Sequence, residues 1–336
     1  MPRRVTAVLS AAILLVAFAV PVQAADRAGA GHARAEHERI LAYWTPERMA
    51  SAIPRDFVRS PGGDFQPRPK PDNPGGGGGG GGGGGNVTGA SWNGGGAVKT
   101  ASGKVFFTMA GTRYVCSGAV VNDGRAGYSL VLTAGHCTYD ETGEAFATNW
   151  MFYPDYDSSP TSNCTNTRFG CWTASALVVH DGYASAGGFN TQATLHDWGF
   201  AVVRAGGHAN TQLDTTVGSF PIQFSAVADN TSVHAFGYPA AQKYKGNDLV
   251  YCAGPTFSDP YNDELTYRLT CDMTGGSSGG PWFSSFTEST GSGTLRSVNS
   301  YGYNGVKAMH GPKFNGLTQQ TYSVANGATS NDVVGD

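Results

Sequence analysis

Charged side chains are scarce in this 336-residue chain, at 14% of all residues. They form no basic stripe. Residues 1–85 hold 10 Lys and Arg against 7 Asp and Glu, a net charge of +3, and residues 86–336 hold 12 against 18, a net charge of −6. Binding along a phosphate backbone needs clustered basic side chains, so nucleic acid is not an expected partner. Low charge with 49 glycines is typical of an extracellular β protein.

The chain also lacks any C-x-x-C pair, which disfavours a structural zinc site. No metal or cofactor is expected. An even number of cysteines in an exported chain indicates three disulfides, although fifteen pairings are arithmetically open. All six cysteines follow residue 86: Cys116, Cys137, Cys164, Cys171, Cys252 and Cys271.

No apolar run near the N-terminus reaches the ~20 residues that span a bilayer. The run Ala11–Val20 is shorter, follows Arg3 and Arg4, and precedes Pro21 and the small-residue pattern Val22-Gln23-Ala24. This order is typical of a secretory signal peptide, predicted over residues 1–24. We therefore expect a secreted protein with no stable membrane anchor.

Two further segments precede the main domain. Residues 25–74 are polar and become proline-rich, with a short helix predicted from Ala33 to Tyr43, and are too few and too charged to bury a core of their own. Residues 75–85 are glycine only, which predicts a flexible linker. A tethered N-terminal segment indicates a propeptide over 25–74, and a spacer without a regulatory role is the alternative.

From Trp92 onwards, short β-rich runs alternate with glycine, asparagine and aspartate clusters, and no helical periodicity longer than about ten residues is found. This texture predicts an all-β barrel or sandwich over residues 86–336, with a core of about 92–325. The predicted strands are Val105–Thr108, Tyr114–Cys116, Ala119–Val121, Leu130–Leu132, Phe200–Val203 and Val233–Phe236.

Three motifs carry chemistry. Glycines flank Ser278 in the run Gly275–Trp282, which allows a tight turn with an exposed hydroxyl nucleophile. The N–H groups of Gly276 and Ser278 are then candidates for one oxyanion hole. Ser277 is the rival nucleophile, but it does not fit the G-x-S-G-G frame. His136 follows an apolar strand and adjoins Cys137, and Asp197 precedes another apolar strand.

Together the motifs resemble the trypsin/chymotrypsin family, in its bacterial secreted branch that includes the glutamyl endopeptidases. The resemblance covers about 92–325 and rests on Thr133–Cys137, on Asp197, on Gly276–Pro281 and on the order His, Asp, Ser. It implies two antiparallel six-stranded β-barrels with the active site between them. It also implies the triad His136, Asp197 and Ser278.

The resemblance implies further roles. Ser300-Tyr301-Gly302 is similar to the strand that pairs with the substrate backbone. The implied disulfides are Cys116–Cys137, Cys164–Cys171 and Cys252–Cys271. The expected enzyme is a monomeric serine endopeptidase that acts on polypeptides through an acyl-enzyme. The alternative is a catalytically silent relative that binds peptides or a surface ligand.

Specificity and activation differ from the animal digestive enzymes. Ser277 stands where those enzymes carry the aspartate that pairs with a newly freed N-terminus, so that switch is not expected here. Asn299 stands where the glutamyl endopeptidases carry a histidine, which argues against a preference for glutamate. Asp272 is ambiguous as a selector of Lys or Arg, and the preferred side chain stays open.

Overall fold

The computed structural model describes residues 1, 22–60, 63–68, 86–156, 163–240 and 243–335. Residues 2–21 of the predicted signal peptide, and the whole predicted linker 75–85, lie outside them. The chain divides into two units, Met1–Glu36 and His37–Asp336. Among the described residues, no helix is long and apolar enough to cross a membrane.

Strands and helices are numbered along the chain. The strands are β1 (Ile53–Pro54), β2 (Phe57–Arg59), β3 (Phe65–Pro67), β4 (Val87–Ser91), β5 (Ser102–Met109), β6 (Thr112–Val121), β7 (Ser129–Thr133), β8 (Tyr139–Asp140), β9 (Ala145–Phe146), β10 (Thr148–Pro154), β11 (Trp172–His180), β12 (Gly199–Val203), β13 (Thr231–Gly237), β14 (Val250–Ser258), β15 (Thr266–Thr270), β16 (Pro281–Thr287), β17 (Ser292–Val298), β18 (Tyr301–Tyr303), β19 (Ala308–Pro312) and β20 (Asp332–Val334). The helices are α1 (Val22–Tyr43), α2 (Pro46–Ala50), α3 (Gly96–Ala101), α4 (Asp181–Ala184), α5 (Thr191–Leu195), α6 (Leu213–Val217) and α7 (Gly316–Gly327), with a 3-10 helix over Gly135–Cys137.

Six strands close the first barrel. Their order is β6-β5-β10-β11-β12-β7, every neighbour is antiparallel, and β7 pairs back with β6. Full closure leaves this ring without a free edge. Strand β7 is buried along its whole length, which agrees with its unbroken apolar run Leu130–Leu132.

The second sheet supplies the other antiparallel group of six strands, in the order β17-β16-β13-β14-β15-β19. The hydroxyl of Ser297 on β17 donates to the carbonyl oxygen of Pro312 on β19, at 2.7 Å, and so joins the two end strands. The sheet continues from β19 through β18 into β2 and β3, which belong to the N-terminal segment. The predicted all-β fold with two six-stranded antiparallel groups is confirmed.

Helix α7 has twelve residues, longer than the sequence analysis allowed. Its sequence has few strong helix formers and few large apolar side chains, so its hydrophobic periodicity was too weak to predict a helix. A capping box between Asn315 and Thr318 satisfies the free N–H groups of the first turn. Thr321 and Ala325 then bury one face.

The described N-terminal segment from His37 to Arg68 belongs to the same unit as the barrels. Its apolar side chains are buried in the larger core, including Ile40, Trp44 and Met49. Trp44 donates from its indole nitrogen to the carbonyl oxygen of Asn149 at 2.6 Å. The segment is indeed too small for a core of its own, and it uses the core of the main domain instead.

Candidate active site

Two adjacent strands bring His136 and Asp197 together. Strand β7 ends at Thr133, and the 3-10 helix that carries His136 follows directly. Asp197 lies two residues before β12, and Gly199 of β12 pairs with Thr133 of β7. Because these strands are antiparallel neighbours, the last residue of β7 and the first residue of β12 meet at the same end of the barrel.

Asp197 holds the imidazole of His136 through two hydrogen bonds. Nδ1 of His136 lies 2.8 Å from Oδ2 of Asp197, and the His136 backbone N–H donates to Oδ1 at 2.9 Å. A carboxylate only accepts, so Nδ1 carries the proton and Nε2 is left as the acceptor. Both side chains are completely buried. Among the described residues, Nε2 has no hydrogen-bond partner.

The turn before β16 carries Ser278 and depends on its glycines. Gly276 and Gly279 have positive φ angles of 96° and 80°, which L side chains rarely adopt. A Cβ on Gly279 would lie 2.1 Å from the hydroxyl oxygen of Thr133 and 2.4 Å from the carbonyl oxygen of Ser117. Only glycine therefore lets this turn approach the first barrel so closely.

Backbone contacts place Ser278 beside the His136 loop. Its carbonyl oxygen accepts from the Ser117 N–H at 2.7 Å and lies 3.9 Å from Sγ of Cys137. The neighbouring Ser277 differs, because its hydroxyl donates into its own turn, to the carbonyl oxygen of Thr274 at 2.8 Å. The Ser277 hydroxyl thus stabilises the turn.

The N–H groups of Gly276 and Ser278 are oxyanion candidates from the sequence. Within the described part of the chain, neither takes part in the backbone hydrogen bonds that hold the turn. Those bonds use Ser277 and Gly280 instead, with the Ser277 N–H pairing to Thr274 and the Gly280 N–H to Ser277.

Two supporting residues of this turn escaped the sequence analysis. Ser117 donates from its hydroxyl to the carbonyl oxygen of Gly276 at 2.9 Å and accepts from the Tyr238 N–H. Asn299, considered earlier only as a specificity position, is completely buried. Its amide donates to the carbonyl oxygen of Ser277 at 2.9 Å. Asn299 therefore braces the turn from inside the core.

The predicted substrate strand makes two kinds of contact in the structure, one through a side chain and one through the backbone. Ser300 donates from its hydroxyl to Oδ2 of Asp197 at 2.5 Å, a contact that the sequence did not indicate. Tyr301 and Gly302 belong to β18, and their backbones pair in parallel with Phe57 and Val58 of β2. This edge therefore accepts an extended chain.

Residues of the N-terminal segment lie directly on the candidate site. The ring of Phe57 meets the imidazole of His136 edge to face, with centroids 5.5 Å apart, and stacks on Phe189 at 4.0 Å. Arg55 donates to the carbonyl oxygen of His136. The sequence signal for this contact was weak. It consists of two apolar pairs, Ile53-Pro54 and Phe57-Val58, that flank Arg55 and Asp56 inside an otherwise polar segment.

Asp272, the ambiguous specificity residue, already has partners. Its Oδ2 lies 2.8 Å from Nζ of Lys243, and its Oδ1 accepts from the hydroxyl of Tyr244. Burial, together with this hydrogen bond, holds the pKa of Tyr244 well above its usual value. Asp272 is therefore already paired within the protein.

The structure contains the three disulfides that the resemblance implied. They are Cys116–Cys137, Cys164–Cys171 and Cys252–Cys271. Cys116, His136 and Cys137 form the one grouping of metal-ligand types among the described residues, but both of its sulfurs are joined in a disulfide. Metal binding would need free thiolates at these positions.

Comparison with known proteins agrees with this geometry. Residues 116–289 match the trypsin-like peptidase domain family. No curated protein sequence matches the chain significantly. The solved structure of the protease Anisep from Arthrobacter nicotinovorans is 40% identical, covers 68% of this chain and 96% of its own, and superposes with a TM-score of 0.59.

A second protease, AL20 from an extremophilic microorganism, is 36% identical over 69% of this chain and 99% of its own, also with a TM-score of 0.59. A Glu endopeptidase shares the fold at 20% identity and a TM-score of 0.53, over 72% of this chain and 97% of its own. The fold, the family match and the two proteases Anisep and AL20 support a serine peptidase with a chymotrypsin-like architecture. The chain belongs to the trypsin-like peptidase family.

Proposed function

We propose that the chain is a secreted serine endopeptidase whose catalytic triad is His136, Asp197 and Ser278. The observation that carries this proposal is the buried pair of His136 and Asp197, joined at 2.8 Å, at the edge where the Ser278 turn packs. Asp197 fixes one tautomer of the imidazole and stabilises the imidazolium that forms during reaction.

The remaining roles follow from acyl-transfer chemistry. Ser278 Oγ attacks the peptide carbonyl carbon while Nε2 of His136 takes its proton. The N–H groups of Gly276 and Ser278 stabilise the negative oxygen of the tetrahedral intermediate, which collapses to an acyl-enzyme as His136 protonates the leaving amine. Water then hydrolyses the acyl-enzyme by the same proton transfers in reverse order.

Polypeptides are the proposed substrates. The backbone of Tyr301 and Gly302 already pairs with an extended strand of this chain, which supports the same kind of pairing with a substrate. In this proposal, the enzyme does not prefer substrates with a glutamate side chain. The reason is that the side chain of Asn299 is engaged in hydrogen bonds inside the core. A monomer is sufficient, since one chain supplies all three triad residues.

Export and maturation complete the proposal. Residues 1–24 are the proposed signal peptide, 25–74 the propeptide and 75–85 the linker, and three disulfides are typical of exported proteins. Maturation then removes a segment that covers the site. No new N-terminus is inserted beside the nucleophile, because Ser277 offers no charge to a buried ammonium.

The decisive experiment is covalent labelling with a fluorophosphonate, followed by peptide mapping. Both the intact chain and the form obtained by removal of the N-terminal segment are treated, with Ser277→Ala and Ser278→Ala as a matched pair. We expect the label on Ser278 of the processed form, retained in Ser277→Ala and lost in Ser278→Ala. A label on Ser277, or none on a processed form that hydrolyses peptides, would falsify the assignment.

A further inference from the structure

An acidic pocket lies under the His136 loop and is filled by Arg55. Nη2 of Arg55 lies 3.1 Å from Oε2 of Glu141 and 3.6 Å from Oδ1 of Asp140. Nη1 donates to the backbone carbonyl oxygen of His136. Tyr183 donates to the same Glu141 oxygen at 2.7 Å. The pocket therefore offers acceptors on both arms of a planar guanidinium, as such recognition requires.

The ion pair between Arg55 and Glu141 is buried, which makes its loss costly for the structure. The Arg55 side chain is 10% exposed and the Glu141 side chain 2%. Removing one partner of a buried ion pair leaves the other charge uncompensated, which is strongly unfavourable. Arg55 and Glu141 are thus held together much more firmly than an exposed pair.

The chain on either side of Arg55 crosses the candidate active site. Before it, Ile53 and Pro54 pair in parallel with Tyr114 and Val115 of β6. After it, β2 pairs with β18, the proposed substrate strand. Arg55 thus anchors a short chain that touches both barrels.

Of two contacts beside Arg55, one is with a reacting group of the proposed mechanism and the other is next to one. Phe57 packs on the imidazole of His136. On the other side, Oδ2 of Asp56 would lie 3.0 Å from a Cβ placed on Gly275, next to the oxyanion candidate Gly276. Asp56 is itself paired with Arg68 at 3.1 Å. With this chain in place, the imidazole of His136 is completely buried.

We propose that the pocket formed by Glu141, Asp140 and the His136 carbonyl is a guanidinium-binding site, and that Arg55 occupies it as the latch that keeps residues 53–59 across the cleft and the peptidase latent. This proposal rests on the proposed function, because latency is a property of the same site. Release of Arg55 is then the step that opens the cleft.

The first test measures how firmly Arg55 holds residues 53–59 in place, and it does not depend on catalysis. Hydrogen exchange is measured in the full chain carrying Ser278→Ala, alone and combined with Arg55→Ala or Arg59→Ala. Arg59 is the matched control, because it lies in the same segment and, among the described residues, its side chain donates to the carbonyl oxygen of Gly63 alone. Loss of a charged hydrogen bond predicts exchange at 53–59 faster by about tenfold or more in Arg55→Ala. The Arg59→Ala chain stays near the parent rate.

The second test is chemical rescue in the same chains. Ethylguanidine reproduces the missing side-chain end, and ethylurea is its neutral analogue of similar shape. Ethylguanidine should restore slow exchange at 53–59 in Arg55→Ala, and ethylurea should not. Equal effects of the two compounds, or equal exchange in the Arg55→Ala and Arg59→Ala chains, would overturn the guanidinium site. Unchanged exchange in β5 verifies that the variants are folded.

A third measurement separates this proposal from the proposed function. With Ser278 intact, Arg55→Ala should raise the basal rate of peptide hydrolysis by the full chain by about tenfold or more, and ethylguanidine should lower it again. If the exchange results hold but no variant hydrolyses peptides, the latch stands and the peptidase assignment fails. If the intact chain is already fully active, latency is refuted whatever the exchange shows.

Discussion

The hydroxyl of Ser300 donates to Oδ2 of Asp197, the same oxygen that accepts from Nδ1 of His136. Ser300 thus shares one carboxylate oxygen with the imidazole and lies at the start of the strand that is proposed to bind substrate. The side chain of Ser300 contacts Asp197, whereas its backbone belongs to the proposed substrate strand. Substitution of the side chain therefore tests the first contact without removing the backbone.

We expect Ser300→Ala to lower kcat by roughly tenfold and to leave KM within about twofold, because it removes a hydrogen bond to a charged group that orients the triad. Steady-state kinetics on the processed form measure both constants. Ser297→Ala is the control, since Ser297 is equally buried but donates to the carbonyl oxygen of Pro312. A raised KM with unchanged kcat would assign the hydroxyl to substrate binding instead.

Asp272 is expected to be no selector of basic side chains. Lys243 and Tyr244 already use its two oxygens, so little negative field is left for a substrate cation. Asp272→Asn should change the ratio of kcat/KM for substrates with Lys and with norleucine before the scissile bond by less than about threefold. Profiling against a peptide library checks this, with Lys243→Met as a companion that frees the carboxylate. A large loss of Lys cleavage in Asp272→Asn would show the reverse.

The motifs predicted most of the fold, and they marked both members of the pair His136 and Asp197, because their chemistry is local. The TAGHC and GSSGGP runs each fix a turn, and the apolar runs around Leu132 and Phe200 mark the strands that bring His136 to Asp197. Residues that act through tertiary contacts carry no such mark. Ser117 supports the Ser278 turn from β6, 159 residues away in the sequence, and Asn299 supports it from the connection between β17 and β18, 22 residues away.

The position of the N-terminal segment is the largest feature that the sequence left open. The flexible glycine linker predicted over 75–85 does not indicate which part of the main domain the segment contacts. The answer depends on pairing of β1 with β6 and of β2 with β18, at separations of about 60 and 240 residues. Three-residue strands show no periodicity from which such partners could be read.

The disulfides differ in the length of the loop that they close. Cys252–Cys271 spans 19 residues and Cys164–Cys171 only 7. Loop-closure entropy predicts that the longer bridge stabilises the fold by about 1 kcal/mol more, out of a typical total of ~2–4 kcal/mol. Urea unfolding of the two Cys→Ala double variants, each compared with the parent chain, measures this difference. An equal or reversed order would mean that strain or residual structure outweighs chain entropy.

Lys104 gives the fold a specific dependence on pH. It lies on β5 with Nζ 3.1 Å from the carbonyl oxygen of Gly246 and 4.2 Å from the ring centre of Tyr156. Burial lowers its pKa to about 7, whereas an unfolded lysine titrates near ~10.4. Between these values the unfolded chain binds the extra proton, so stability is greatest above pH ~10 and is lost as the pH falls towards ~7.

Lys104→Met should therefore remove this slope and raise the free energy of unfolding at neutral pH, because the aliphatic stem stays packed while the buried amine disappears. The measurement is urea unfolding at several pH values between ~6 and ~10. Lys99→Met is the matched control, since that ammonium is exposed and pairs with Asp155 at 3.8 Å. We expect it to leave the slope unchanged. A slope that survives in Lys104→Met would place the titrating group elsewhere in the protein.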